Sequence, residues 1–150
     1  MYKNTVENYL DLLSKVFIVH RLNAYSTNPR KEISKGSKWH FYDNGIRNAI
    51  INDFRLPSLR NDIEALWENY LLAERIKRNS YRGIDIQYYF WRNYDQQEVD
   101  LIELNDGKIN GYEFKYSPDK KVKAPSAFAR AYPEAIFIRI SKDNYLEWIS

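Results

Sequence analysis

Between Ile63 and Ser141 the apolar residues change their spacing, and this constrains the fold more than any other feature of the chain. Ile63, Leu66, Trp67, Tyr70, Leu71 and Ile76 recur three and four residues apart, as on one face of a helix. From Asp85 the period drops to two. DIQYYFWR (85–92), EVDLIEL (98–104) and INGYEFKY (109–116) read as strands. Asn105-Asp106-Gly107 between the last two is a tight-hairpin signal, because such turns need residues that tolerate positive φ. Pro125 opens a helical stretch to Tyr132. AIFIRIS (135–141) is an almost wholly apolar strand, expected in the middle of a covered sheet. The order α-β-β-β-α-β predicts an α/β layer protein over residues 61–150.

The front of the chain reads differently. Asn4 and Glu7 resemble a capping box. Val6, Tyr9, Leu10, Leu13, Val16 and Phe17 form one apolar stripe, which predicts a helix over 5–17. Residues 17–25 and 38–42 read as extended and flank a basic stretch broken by Asn28-Pro29 and Gly36. This is a β-hairpin, ended by Asp43-Asn44-Gly45. Residues 46–54 suggest a short helix, and Pro57-Ser58 a linker between 1–60 and 61–150.

Composition excludes several chemistries. The 150 residues contain no Cys and two His, His20 and His40, so thiolate zinc sites, iron–sulfur clusters, disulfides and multi-histidine metal sites are ruled out. No apolar run is long enough to span a membrane. The MYKNTVENYL start lacks a secretory pattern, so a soluble cytoplasmic protein is expected. Residues 1–60 hold ten Lys/Arg against five Asp/Glu, a surplus that can attract phosphate.

One group of residues suggests chemistry. Strand alternation puts Glu113 and Lys115 on one face of their strand, and the 105–108 turn makes the strand carrying Asp100 its neighbour. Asp100 and Glu113 then lie side by side, with Lys115 one pleat along. Adjacent carboxylates suit a hard divalent cation such as Mg²⁺ or Mn²⁺. A lysine beside it can orient water or neutralise phosphate. Glu68 on the flanking helix can reach the same place, and alternation puts Glu98 on the face of Asp100. An acid-x-Lys triplet alone is cheap: Asp119-Lys120-Lys121 is another. Asp in a strand interior is rarer, and beside a Glu it is repelled unless something binds between them. No acid-rich spacing frames His20 or His40, which read as structural. Half of Tyr88-Tyr89-Phe90-Trp91 must face the core, and Trp91 reads as core.

These residues carry a resemblance. Asp on the second strand and Glu-x-Lys on the third, in this order of elements, resembles the restriction-endonuclease-like αβββαβ core of the PD-(D/E)xK nuclease superfamily, a mixed sheet flanked by helices. More narrowly, TVENYLDLLSKVFIVHRLNAY, KWHFYDNGIRNAI, LWENYLLAER, YYFWRN, EVDLIE and GYEFKYS are similar to the region following the ATPase module in a large prokaryotic family of AAA-type ATPases. The resemblance implies that residues 1–60 are a partial winged helix with its connecting helix, and that the chain is a C-terminal fragment whose ATPase module precedes it. ATP would bind only there, since no phosphate-binding loop motif occurs in this chain. Carried over, Asp100 and Glu113 would be metal ligands, Lys115 would position water or phosphate, and Glu68 would support them. Trp91 and Arg92 match a Trp-Arg pair, and Arg92 would hold a carboxylate or a phosphate. Val99 stands where the pattern has proline. The expected function is metal-dependent phosphodiester hydrolysis on DNA. Its rivals are an inactive DNA- or protein-binding regulatory module, and a winged-helix DNA binder whose residues 61–150 only dimerise. Arg30, Lys31, Lys35 and Lys38 on the hairpin are candidate nucleic-acid contacts.

Overall fold

The computed structural model describes residues 3–119 and 121–150; Lys120, in the second acid-x-Lys triplet, lies outside them. Helix α1 (Lys3–Lys15) leads into a hairpin of β1 (Val19–Ala24) and β2 (Ser37–Phe41). Helix α2 (Asn44–Ile50), a 3₁₀ turn at Pro57–Leu59 and α3 (Ile63–Tyr81) follow. The remainder is β3 (Gln87–Arg92), β4 (Glu98–Asn105), β5 (Lys108–Phe114), α4 (Ser126–Ala131), β6 (Ile136–Ile140) and α5 (Tyr145–Ile149). Helix α5 had no clear signal in the sequence. Asn4 lies inside α1 instead of capping it. At the β4–β5 turn Asp106 (φ 49°) and Gly107 (φ 76°) adopt the left-handed pair that a tight hairpin requires.

All six strands form one mixed sheet in the order β2-β1-β3-β4-β5-β6. β1 runs parallel to β3 and β5 parallel to β6, while the other neighbours are antiparallel. The hairpin of the first 60 residues is thus part of the same sheet as the strands after it: Asn23 pairs with Tyr89 and Ala24 with Phe90. The 25–36 loop continues along β3, where the Ile33 N–H donates to the Arg92 carbonyl at 2.9 Å. The 53–62 connection is pinned. Arg60, its side chain 2% exposed, donates to the Asp62 carboxylate and to the Asp53 carbonyl, and Asp62 also accepts from Arg47.

Helices α3 and α5 cover one face of the sheet. Leu71 and Leu72 pack there on Leu22, Phe90, Leu101, Tyr112, Phe114 and Ile140, with Trp148 at the edge. Helix α4 covers part of the other face, where Phe128 and Tyr132 pack on Trp91, Val99 and Ile102. Burying each such side chain contributes roughly 2 kcal/mol. Gly111 lets α4 approach, since a Cβ there would stand 3.3 Å from both Phe128 and Val99. No helix of the described residues is long and apolar enough to cross a membrane.

Two sequence expectations are corrected. The apolar β6 is an edge strand, not a central one, and Ile136 is 58% exposed. An apolar run shows that a strand can be covered, not that it has neighbours on both sides. The first helix ends at Lys15, short of the expected Phe17, whose φ is 59°, and Tyr9, Val16 and Phe17 of its stripe are exposed.

Candidate functional site

A break in register assembles the acidic residues. Tyr89 pairs with Ile102 on β4, but Trp91 pairs with Val99. Phe90 alone therefore stands opposite Leu101 and Asp100, a β-bulge with its extra residue in β4. The bulge reverses the face alternation. Val99 and Ile102 pack on the α4 side, whereas Leu101 packs on the α3 side. Strict alternation would have put Val99 and Leu101 together.

Strand β5 leaves β4 at the same point. Their pairing runs to Leu101 and Tyr112. The Phe114 N–H then donates to the Asp100 carboxylate at 2.8 Å, in place of a main-chain carbonyl of β4. Beyond it the Lys115 N–H bonds the Ile140 carbonyl of β6. Asp100 thus projects into the opening between diverging strands, where one hydrogen bond to a buried N–H holds it.

Three elements bring charge to this opening. From α3, Glu68 Oε1 lies 3.3 Å from His40 Nε2 and 3.5 Å from Lys38 Nζ. The Lys38 ammonium also contacts Glu98, which Arg92 holds from its other side. From β5, Glu113 Oε1 accepts a 2.6 Å hydrogen bond from Lys115 Nζ. Burial, then the charges of Glu68 and Glu113, push the Asp100 carboxyl up to about 7. Burial also pushes Glu68 upward, but the hydrogen bond from His40 and the charge of Lys38 hold it below the usual carboxylate range. Burial disfavours the charge of Lys38, yet Glu68, Glu98 and Asp100 outweigh it and raise its pKa. Lys115 behaves likewise, opposed by burial and raised by Glu113, with Asp100 and Glu64 contributing. The result is a carboxyl pushed up toward neutrality between Glu68 and Glu113, flanked by two ammonium groups. Such a cluster can attract a cation or pass a proton at neutral pH.

Asp100, Glu113, Lys115 and Glu68, which the sequence singled out, therefore meet. Among the described residues no three His, Asp or Glu side chains are grouped so as to hold a metal ion. Arg92 pairs with Glu98. Arg30, Lys31 and Lys35 lie exposed on the 25–36 loop. Two assignments change. Lys38 leaves the loop set, because its side chain is 22% exposed and engaged with acids. His40, read as unframed by carboxylates, contacts one contributed by α3. Both lie on one face of β2, and that period-two spacing was the available signal. Trp91 is 1% exposed, and its Nε1 donates to Glu32 at 2.8 Å.

Comparison with known proteins gives kinship without an activity. The model of the family described as "Domain of unknown function (DUF4143)" matches residues 64–146, and that described as "Domain of unknown function (DUF8612)" matches residues 1–56. Two curated relatives are the uncharacterized proteins Mb2031c of Mycobacterium bovis and Rv2008c of Mycobacterium tuberculosis, each 27% identical over 115 residues. The aligned region is 75% of this chain but 25% of each relative, so the chain spans about a quarter of their length. No solved structure matches the chain. The first match includes Glu68, Asp100, Glu113 and Lys115 and runs over more than half of the residues, and the chain belongs to the DUF4143 family.

Proposed function

We propose that this chain is a nuclease-like domain of a DNA-associated AAA-type ATPase, with a metal-dependent phosphodiester hydrolase site at Asp100, Glu113, Lys115 and Glu68. One observation carries the reading: Asp100 lies half-buried between Glu68 and Glu113 in the opening of β4 and β5, where burial and their charges push its carboxyl up to about 7. Oxygen donors whose mutual repulsion exceeds what Lys38 and Lys115 offset fit a hard divalent cation. Asp100 and Glu113 would hold Mg²⁺ or Mn²⁺, and Glu68 would support them. When bound, such an ion supplies Lewis acidity toward a phosphodiester and a more acidic water. Lys115 is held by Glu113 and presents its ammonium beside Asp100, where it can orient a water or neutralise a phosphate oxygen. The order of strands and helices around Asp100 and Glu-x-Lys supports a restriction-endonuclease-like core.

The second reading is an inactive regulatory module that binds DNA or protein. It is favoured by Lys38 and Lys115, whose ammonium groups already neutralise part of the acid cluster. A thermal-shift titration separates the two. MnCl₂ should raise the Tm of the wild type by mass action, and Asp100→Asn should abolish the rise. A wild type that does not respond to Mn²⁺ or Mg²⁺ would leave the inactive module as the better account.

A further inference from the structure

The side of the sheet away from the acid cluster carries a second feature that the hydrolase reading does not use. A cleft of about 590 Å³ opens between the 28–32 loop, the 93–95 turn and α4. That volume is typical of sites that hold a small ligand or one unit of a chain. Arg30 and Lys31 border it from the loop and Arg130 from α4. Among the described residues these three side chains make no ion pair, although most arginines elsewhere do. Arg130 Nε reaches only the Ser126 carbonyl of its own helix, at 3.3 Å. Asp95 at the turn and Glu32 on the floor offset two of the three charges, leaving a surplus of one.

The floor is rigid and its own charge is already committed. Glu32 is 3% exposed. Its carboxylate accepts from Trp91 Nε1 (2.8 Å), Tyr132 Oη (2.7 Å), Ser26 Oγ (3.1 Å) and the N–H groups of Thr27 and Asn28 (3.0 Å each). A buried carboxylate with five donors holds the loop in place, so Arg30 and Lys31 are presented on a fixed support. At the rim the Tyr94 hydroxyl donates to the Pro29 carbonyl at 3.3 Å, and the residue stays 61% exposed. An anchored, exposed aromatic beside unpaired cations matches the stacking and phosphate contacts of unpaired nucleotides. A duplex is too wide for a notch of this volume, and its bases are not free to stack on a side chain.

We infer that the Arg30–Lys31–Arg130–Tyr94 cleft binds a segment of single-stranded nucleic acid, with the cations on its phosphates and the tyrosine ring on a base. This goes beyond the hydrolase reading and holds whether or not the acid cluster cleaves. The probe is fluorescein-labelled oligothymidylate of about 15 nucleotides, long enough for one such site, with fluorescence anisotropy as the readout. The wild type should bind it in preference to a duplex of equal length. Arg130→Glu should weaken binding tenfold or more, and each cation removed should flatten the slope of log K against log salt by about 0.7. Tyr94→Ala should weaken binding severalfold without changing that slope. Arg130→Lys should keep most of the affinity, which shows that a loss in Arg130→Glu is one of charge and not of folding. Unchanged affinity in both Arg130→Glu and Tyr94→Ala, a preference for duplex, or equal competition by polyglutamate would each overturn the assignment.

Discussion

Glu103 and Asp100 both lie on β4 on the side of α3, in opposite electrostatic conditions. Glu103 is 2% exposed and fully compensated: Arg75 donates to both carboxylate oxygens at 2.7 and 2.9 Å, and Tyr112 Oη donates at 3.1 Å. Arg75 is itself sandwiched near the Trp148 ring, 4.7 Å from its centroid, and bonds the Trp148 carbonyl, which ties α5 down. Asp100 has one N–H donor, and the repulsion of Glu68 and Glu113 outweighs the charge of Lys38. The comparison teaches how to tell a structural charge from a chemical one. Glu103 is buried and Asp100 half-buried, but the completeness of compensation is the sharper difference: a saturated carboxylate cements the fold, and an undersupplied one retains the capacity to react or bind.

The largest effect that tests this contrast is removal of Arg75. Arg75→Ala strands the Glu103 carboxylate in the core and should cost about 3–5 kcal/mol in urea unfolding. A cost below that of an ordinary surface substitution would mean that the pair is solvated after all.

The sharpest test is the same chemical change at both positions. Glu103→Gln should destabilise by about 2 kcal/mol, because a buried charge-assisted pair becomes a neutral one. Asp100→Asn should do the reverse. The folded Asp100 carboxyl titrates near 7, above its unfolded value, so the native state binds the extra proton. Stability from this group is therefore greatest at low pH and is lost as pH rises through the window up to about 7. Asp100→Asn should stabilise the protein at pH 8 by on the order of 2 kcal/mol and leave it unchanged near pH 4. Loss of stability at pH 8 would show that the hydrogen bond to the Phe114 N–H outweighs the repulsion.

A smaller effect is expected at Lys38. Lys38→Met should cost about 1 kcal/mol, and it should also move the Asp100 titration to higher pH, since Lys38 lowers that carboxyl. A carboxyl-detected NMR titration measures the move, and an unchanged midpoint would remove Lys38 from the cluster.

Much of the architecture was legible from local pattern. Helix α3, β3, β4, β5 and the Asp106-Gly107 turn follow from apolar spacing and turn chemistry, which act over a few residues. What was not legible depends on contacts across long stretches of chain. No local signal tells β1 to pair with β3, and none says that an apolar β6 ends the sheet. For the site, Asp100 was visible because an Asp inside a strand is anomalous, and Glu113 and Lys115 because alternation and the 105–108 turn set them beside it. Lys38 and His40 were not, because their acidic partners arrive on α3 and β4. The bulge escaped because EVDLIEL also reads as a regular strand, and only the pairing with β3 reveals the extra residue.

The hairpin's contribution to the acidic pocket sets a rule for dividing the gene. A fragment beginning at Ile63 would retain Glu68, Glu98 and Asp100 but lose the ammonium and imidazole that β2 lends them, along with two strands of the sheet. Such a truncation would inherit a knot of mutual repulsion beside a raw sheet edge, and would tend toward insolubility. The smallest transplantable piece therefore starts upstream of Val19, however tempting the proline-marked joint at Pro57 looks as a place to cut.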